Sequence, residues 1–267
     1  MFNETVLIAF SLTLIAGLST GVGSLLSLFA KKTNTKFLAI SLGFSAGVMI
    51  YVSFIEIFNS AQSTLISSLG IKLGSWVTVI SFFGGMAFIA IIDKLIPETK
   101  NPHEMLKLED MNIDVKQNKL LRLGIFTALA IGIHNFPEGI ATFLSALENP
   151  TLAIPITVAI ALHNIPEGIS VFVPIYFATG SKKKAFIYSF LSGMAEPIGA
   201  IIGYLILYPF LTDTLFGILF AGVAGIMVFI SLDELLPSAR EYGETHLSIY
   251  GLVAGQIIMA ISLLLFI

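Results

Sequence analysis

The chain has 267 residues, 56% of them hydrophobic and only 12% charged, and its mean hydropathy is +0.93. A soluble domain is about a quarter charged, so this composition excludes a water-soluble globule and implies an integral membrane protein. The net charge of −3, with no basic cluster on a soluble face, offers nothing to a nucleic acid, and the absence of cysteine removes both disulfides and thiolate metal ligands.

A helix that crosses a bilayer needs about 20 mostly apolar residues. Runs of that kind fall at approximately 6–30, 37–60, 74–96, 120–147, 151–179, 184–211, 214–237 and 247–267. They predict an all-α integral membrane protein of eight transmembrane helices, in one domain over 1–267. The runs are continuous rather than alternating, which excludes a β-barrel. The first is too long for the apolar core of a signal peptide and lacks a positive leader, so it reads as the first span.

Span 2 carries Ala46-Gly47-Val48-Met49-Ile50-Tyr51-Val52-Ser53-Phe54-Ile55-Glu56, which resembles Ala224-Gly225-Ile226-Met227-Val228-Phe229-Ile230-Ser231-Leu232-Asp233-Glu234 in span 7. Eight spans would run these two segments in opposite directions. After span 3 comes the one long loop, 98–119, with mixed charge and one histidine, His103; it is expected to lack a fixed fold.

Spans 4 and 5 each carry the same polar cassette: His134-Asn135-Phe136-Pro137-Glu138-Gly139 and His163-Asn164-Ile165-Pro166-Glu167-Gly168. An ionisable group inside a bilayer costs roughly 2.5–3.5 kcal/mol on insertion scales, so such groups usually mark a pathway. Histidine and glutamate four residues apart share a helix face, and the asparagines flank it. Pro137 and Pro166 cannot donate to the carbonyls of Ile133 and Leu162, so each is expected to bend its helix and free a carbonyl beside the polar groups. Gly139 and Gly168 allow a neighbouring helix to approach closely. Span 6 adds Glu196 followed by Pro197. No Lys or Arg lies between Arg122 and Lys182, nor between Lys184 and Arg240. Three buried carboxylates then need protons or an external cation. Imidazole, amide and carboxylate suit Zn²⁺, Mn²⁺, Fe²⁺, Co²⁺ or Ni²⁺. Glu56 and Glu234 lie near span ends, where a carboxylate can reach water or line the pathway. Asp93 and Asp233 read as interfacial, and Met49 and Met227 as packing residues.

Of the fourteen Lys and Arg, only Lys72 falls in a connection after an even-numbered span. Cytoplasmic connections carry the excess of positive charge, so both termini are expected outside and the 98–119 loop inside. Opposed repeats of this kind mark inverted-topology transporters with a site near the bilayer midplane. The arrangement they imply is an inverted 3+2+3 repeat, spans 1–3 mirrored by 6–8 around the central pair.

The paired cassettes with Glu196-Pro197 resemble the signature of the ZIP (Zrt/Irt-like) divalent-metal transporters, nearest to their bacterial ZupT-type and GufA-like branch. The resemblance covers essentially the whole chain. It implies a binuclear metal site between spans 4 and 5, with His134, Asn135, Glu138, His163, Asn164 and Glu167 as ligands and Glu196 serving the second metal. It places Met49 and Glu56 on the wall facing that site. It also implies import of Zn²⁺ and related ions (Fe²⁺, Mn²⁺, Co²⁺, Cd²⁺) across the cell membrane, with the metal as substrate and no catalytic cofactor. The long loop lacks the histidine-rich run of many eukaryotic members. A homodimer is compatible with this pattern. The other reading, an intramembrane metalloenzyme such as a protease, lacks its His-Glu-x-x-His element.

Overall fold

The structure is a computed structural model that describes residues 4–29, 35–95, 113–148, 150–207, 210, 212–241 and 245–265. Among these residues there is no strand; nearly all are helical. The helices are α1 (Glu4–Phe29), α2 (Thr35–Val52), α3 (Phe58–Leu69), α4 (Ile71–Leu95), α5 (Ile113–Glu148), α6 (Pro150–Thr179), α7 (Lys182–Gly193), α8 (Ala195–Leu207), α9 (Asp213–Ile230), α10 (Leu236–Glu241) and α11 (Thr245–Leu264). Seven helical rods among the described residues are long and apolar enough to cross a membrane. The predicted fourth span falls within α5. The chain is a multi-pass helical membrane protein.

Several predicted boundaries need correction. Span 2 does not stop at residue 60: a single π-helical turn, Ser53–Ile57, joins α2 to α3, which continues to Leu69. The segment after Phe58 is rich in Ser, Thr, Asn and Gln, yet it stays helical because Ala61 and Leu65 are buried. Leu65 packs where a side chain at Gly217 of α9 would stand. Gly70, at φ +82°, then turns the chain directly into α4. Span 4 is longer than expected at its start, because α5 already begins at Ile113, inside the predicted loop. The rest of that loop, His103 included, lies outside the described residues. Span 6 is broken at Met194 into α7 and α8. Pro197 has no N–H to offer the Gly193 carbonyl, which accounts for the break at that point. Pro137 and Pro166, by contrast, stand inside helices that continue through them.

Polar caps and glycines set other ends. The side chains of Ser181 and Thr212 accept from the N–H groups of Lys184 and Leu215 and start α7 and α9. Gly180, at φ +64°, closes α6.

The packing comes in matching pairs. A π-helical turn joins α2 to α3 at Ser53–Ile57, and another joins α9 to α10 at Ser231–Leu235. Gly47 of α2 meets the Leu252 carbonyl of α11, as Gly225 of α9 meets the Phe82 carbonyl of α4. Gly168 of α6 meets the Thr20 carbonyl of α1, as Gly139 of α5 meets the Glu196 carbonyl of α8. Gly17 of α1 and Gly193 of α7 meet each other's carbonyls. At every one of these crossings a Cβ would overlap backbone, so glycine is what lets the helix axes come together.

Candidate metal centre

The polar cassettes come together where α1, α2, α5, α6, α7 and α8 meet. Asn135, Glu138, His163, Asn164, Glu167 and Glu196 are all fully buried. Gly139 and Gly168, the glycines that end the two cassettes, are the close crossings onto α8 and α1. The residue pattern that supplies the polar groups therefore also brings the next helix against them.

Two pairs form within this region. His163 Nε2 lies 3.3 Å from Glu138 Oε1 and 3.4 Å from Oε2. A charge-assisted N–H···O bond is shorter, about 2.7–2.9 Å. The contact is therefore looser than a tight ion pair. One residue along α6, Asn164 donates its amide to Glu196 and, at 3.0 Å, to the Ala16 carbonyl of α1. Consecutive residues of α6 so address two different neighbours, His163 the carboxylate on α5 and Asn164 the carboxylate on α8.

Asn135 donates to the Ser192 carbonyl at 3.2 Å. The side-chain oxygens of Asn135 and Asn164 are buried and accept no hydrogen bond among the described residues. Each amide is anchored by its nitrogen and keeps its oxygen for another donor or a cation. Glu167 meets Ser45 of α2, whose hydroxyl stands 3.5 Å from Glu167 Oε1 and 3.5 Å from the His163 carbonyl.

The two ends of this polar region differ. Toward the N-terminal end of α1, Phe10, Phe143 and Tyr204 pack on one another with ring centroids 4.7–5.9 Å apart. Toward the other end lie hydroxyls: Ser24 bonds Ser189, and Ser189 donates to the Gly168 carbonyl at 2.9 Å.

His134 is on α5, one helical turn from Glu138; its side chain lies outside the described residues. Among the described residues no three His, Asp or Glu side chains form one metal-holding group; what stands there is two pairs and Glu167. Met49 is buried in α2, one turn beyond Ser45. Glu56 and Glu234 are half-buried in the two π-helical turns. Glu56 is about 16 Å along its rod from Ser45, outside the cassette region. Ser45 and the carbonyls of Ala16 and Ser192 were not expected. The span 2–span 7 repeat does not reveal Ser45, because its counterpart is Val223, and a backbone carbonyl has no residue type to read.

A multi-pass helical membrane protein with a buried ionisable centre belongs to the class that contains ion and solute carriers. Residues 97–263 match the family described as ZIP Zinc transporter. The chain is 64% identical to the zinc transporter ZupT of Clostridium perfringens (strain 13 / Type A), an alignment covering 99% of this chain and 98% of that one. It is 63% identical to zinc transporter ZupT of Lysinibacillus sphaericus (strain C3-41), over 98% and 99% of the two chains. With zinc transporter ZupT of Streptococcus mutans serotype c the identity is 64% over 97% of each. The chain belongs to the ZIP zinc transporter family. It is a membrane transporter and not an enzyme, which sets aside the metalloenzyme reading.

Proposed function

We propose that this chain carries Zn²⁺ and related divalent ions (Fe²⁺, Mn²⁺, Co²⁺, Cd²⁺) into the cytoplasm through a binuclear site between α5 and α6. The observation that carries the reading is electrostatic. Glu138, Glu167 and Glu196 are fully buried, in helices with no Lys or Arg over the stretches that hold them. A divalent cation is the natural partner for such a set, and its affinity must be moderate if the ion is to leave again.

In this reading Glu138 and His163, with His134 from the same turn of α5, hold one ion. Asn164, Glu196 and Asn135 hold the second, and Glu167 stands between them. The metal needs neutral imidazole and ionised carboxylate, so loading expels protons from the site. The names of the curated relatives support zinc as the principal cargo.

The chain crosses the membrane eight times, with both termini outside and the 98–119 loop inside. The Lys and Arg distribution supports that orientation, and the paired crossings support an inverted repeat in which α1–α4 are mirrored by α7–α11. With this orientation the aromatic cluster of Phe10, Phe143 and Tyr204 faces outward and the serine hydroxyls face the cytoplasm. That arrangement suits a state closed to the outside, with release of the ion to the inside. Glu56, Glu234 and Met49 line the approach rather than hold the ion.

The test is flux of radioactive zinc into proteoliposomes, with and without imposed pH and voltage gradients. Zinc uptake that saturates, and that is lost in Glu138→Gln and in Glu167→Gln, is the expected outcome. Uptake no faster than in empty vesicles, or unchanged in both variants, refutes the reading.

A further inference from the structure

Beside the metal centre, the α4–α9 pair and the α5–α7 pair leave a crevice of about 640 Å³ between them. That is within the range of about 300–1,000 Å³ typical of small-molecule sites. Ile92, Ala128, Ile133, Phe136 and Ile226 are among its lining, which is apolar but for Ser192 and the Tyr188 hydroxyl. An apolar cavity without convergent polar groups does not hold water, and an empty one forfeits the dispersion contacts of its walls.

The occupant follows from where the crevice opens. Its rim residues Phe88, Leu129 and Leu191 are 58%, 50% and 59% exposed. Phe88 and Leu191 belong to membrane-crossing rods, and Phe88 continues the outward apolar face of Ile80, Phe83 and Ile91 on α4. The medium at that mouth is therefore hydrocarbon. We propose that the crevice is a binding site for one acyl chain of a bilayer phospholipid, which enters sideways between α4 and α5 and lies against the turn of α5 that carries the first cassette. Phe136 and Pro137 form part of its wall, directly before Glu138. Ser192, which also lines it, is the residue whose carbonyl holds Asn135. The bound chain thus supports from behind the backbone on which the metal ligands stand. Gly132 faces the space with no side chain of its own, and a Cβ there would meet only ordinary contact, 3.9 Å from Ser192 Cα.

The test uses the full chain in detergent with a phosphatidylcholine bearing a diazirine on one acyl chain, followed by peptide mapping of the photoadducts. Adducts at Ile92, Leu129 and Ile133 are expected to saturate and to be competed by unlabelled phosphatidylcholine. Adducts on the open faces at Ile80 and Phe83 are expected to rise without saturation. Gly132→Phe fills the crevice, and an approximately tenfold drop in crevice adducts, the equivalent of about 1.4 kcal/mol in binding, is expected with no change at Ile80. Leu129→Trp, a change at the half-exposed mouth, gives the same readout if Gly132→Phe fails to fold. Crevice adducts that do not saturate, or that are unaffected by both substitutions, overturn the proposal whether or not the protein carries zinc.

Discussion

Gly17→Ala tests the packing that builds the centre. Gly17 faces the α7–α8 junction, and a Cβ there would lie 2.6 Å from the Gly193 carbonyl oxygen and 2.9 Å from Pro197 Cδ. Neither a backbone carbonyl nor a proline ring can rotate away. Ordinary contact begins near 3.4 Å, so the helices must separate locally by about 0.8 Å. The adjacent Ala16 carbonyl receives the Asn164 amide at 3.0 Å. A shift of that size along the bond would take it to about 3.8 Å, past the range of a hydrogen bond. Overpacking costs about 1–3 kcal/mol and the buried bond about 0.5–1.5 kcal/mol. The better helix propensity of alanine returns about 1 kcal/mol, leaving a net loss of about 0.5–3.5 kcal/mol. In a preorganised site a shift near 1 Å costs up to about a hundredfold in rate. Gly84 of α4 is the control, since a Cβ there meets nothing within 4 Å. Thermal melting in detergent and zinc flux in proteoliposomes should show Gly17→Ala less stable and at least tenfold slower, by the same argument. Gly84→Ala should match or exceed the parent in stability at full flux. A Gly17→Ala protein with parental melting and flux, or an equal loss in Gly84→Ala, refutes the reasoning.

Three further predictions concern ligands and topology. Glu138→Ala and His163→Ala should each nearly abolish zinc flux, and the double variant should be little worse than either; two modest losses that multiply would mean separate roles. Asn164→Asp adds a negative charge beside Glu196 and should lower both the half-saturation concentration and the maximal rate of uptake, so a concentration series with both unchanged removes Asn164 from the site. In this cysteine-free chain, an impermeant thiol reagent applied to intact cells should label a cysteine placed at Asn3 and miss one placed at Asn101, and the opposite labelling overturns the proposed orientation.

Much of this protein is determined by residue type alone. Crossing a bilayer takes about 20 apolar residues, so the membrane rods stand out without knowledge of their neighbours. The cassettes stand out for the opposite reason: burying His163, Glu138 or Glu167 in hydrocarbon is so costly that their presence already marks a centre. Gly139 and Gly168 were legible as close crossings because each ends a polar cassette, whereas Gly84 of α4 faces open space. What the sequence does not carry is which helix fills each gap. Leu65 keeps α3 helical because Gly217 of another helix makes room for it, and no local signal past Phe58 says so. Pro137 and Pro166 leave their helices continuous while Pro197 follows a break, although all three prolines remove the same kind of hydrogen bond. Ser45 reaches Glu167, and the Ala16 and Ser192 carbonyls hold the asparagines, only because α1, α2 and α7 pack at those heights. A carbonyl exists at every residue and a serine in most spans, so their roles arise from position. Burial cost is a property of one side chain and can be read from the chain. Partnership is a property of two segments brought together, and only the tertiary structure decides it.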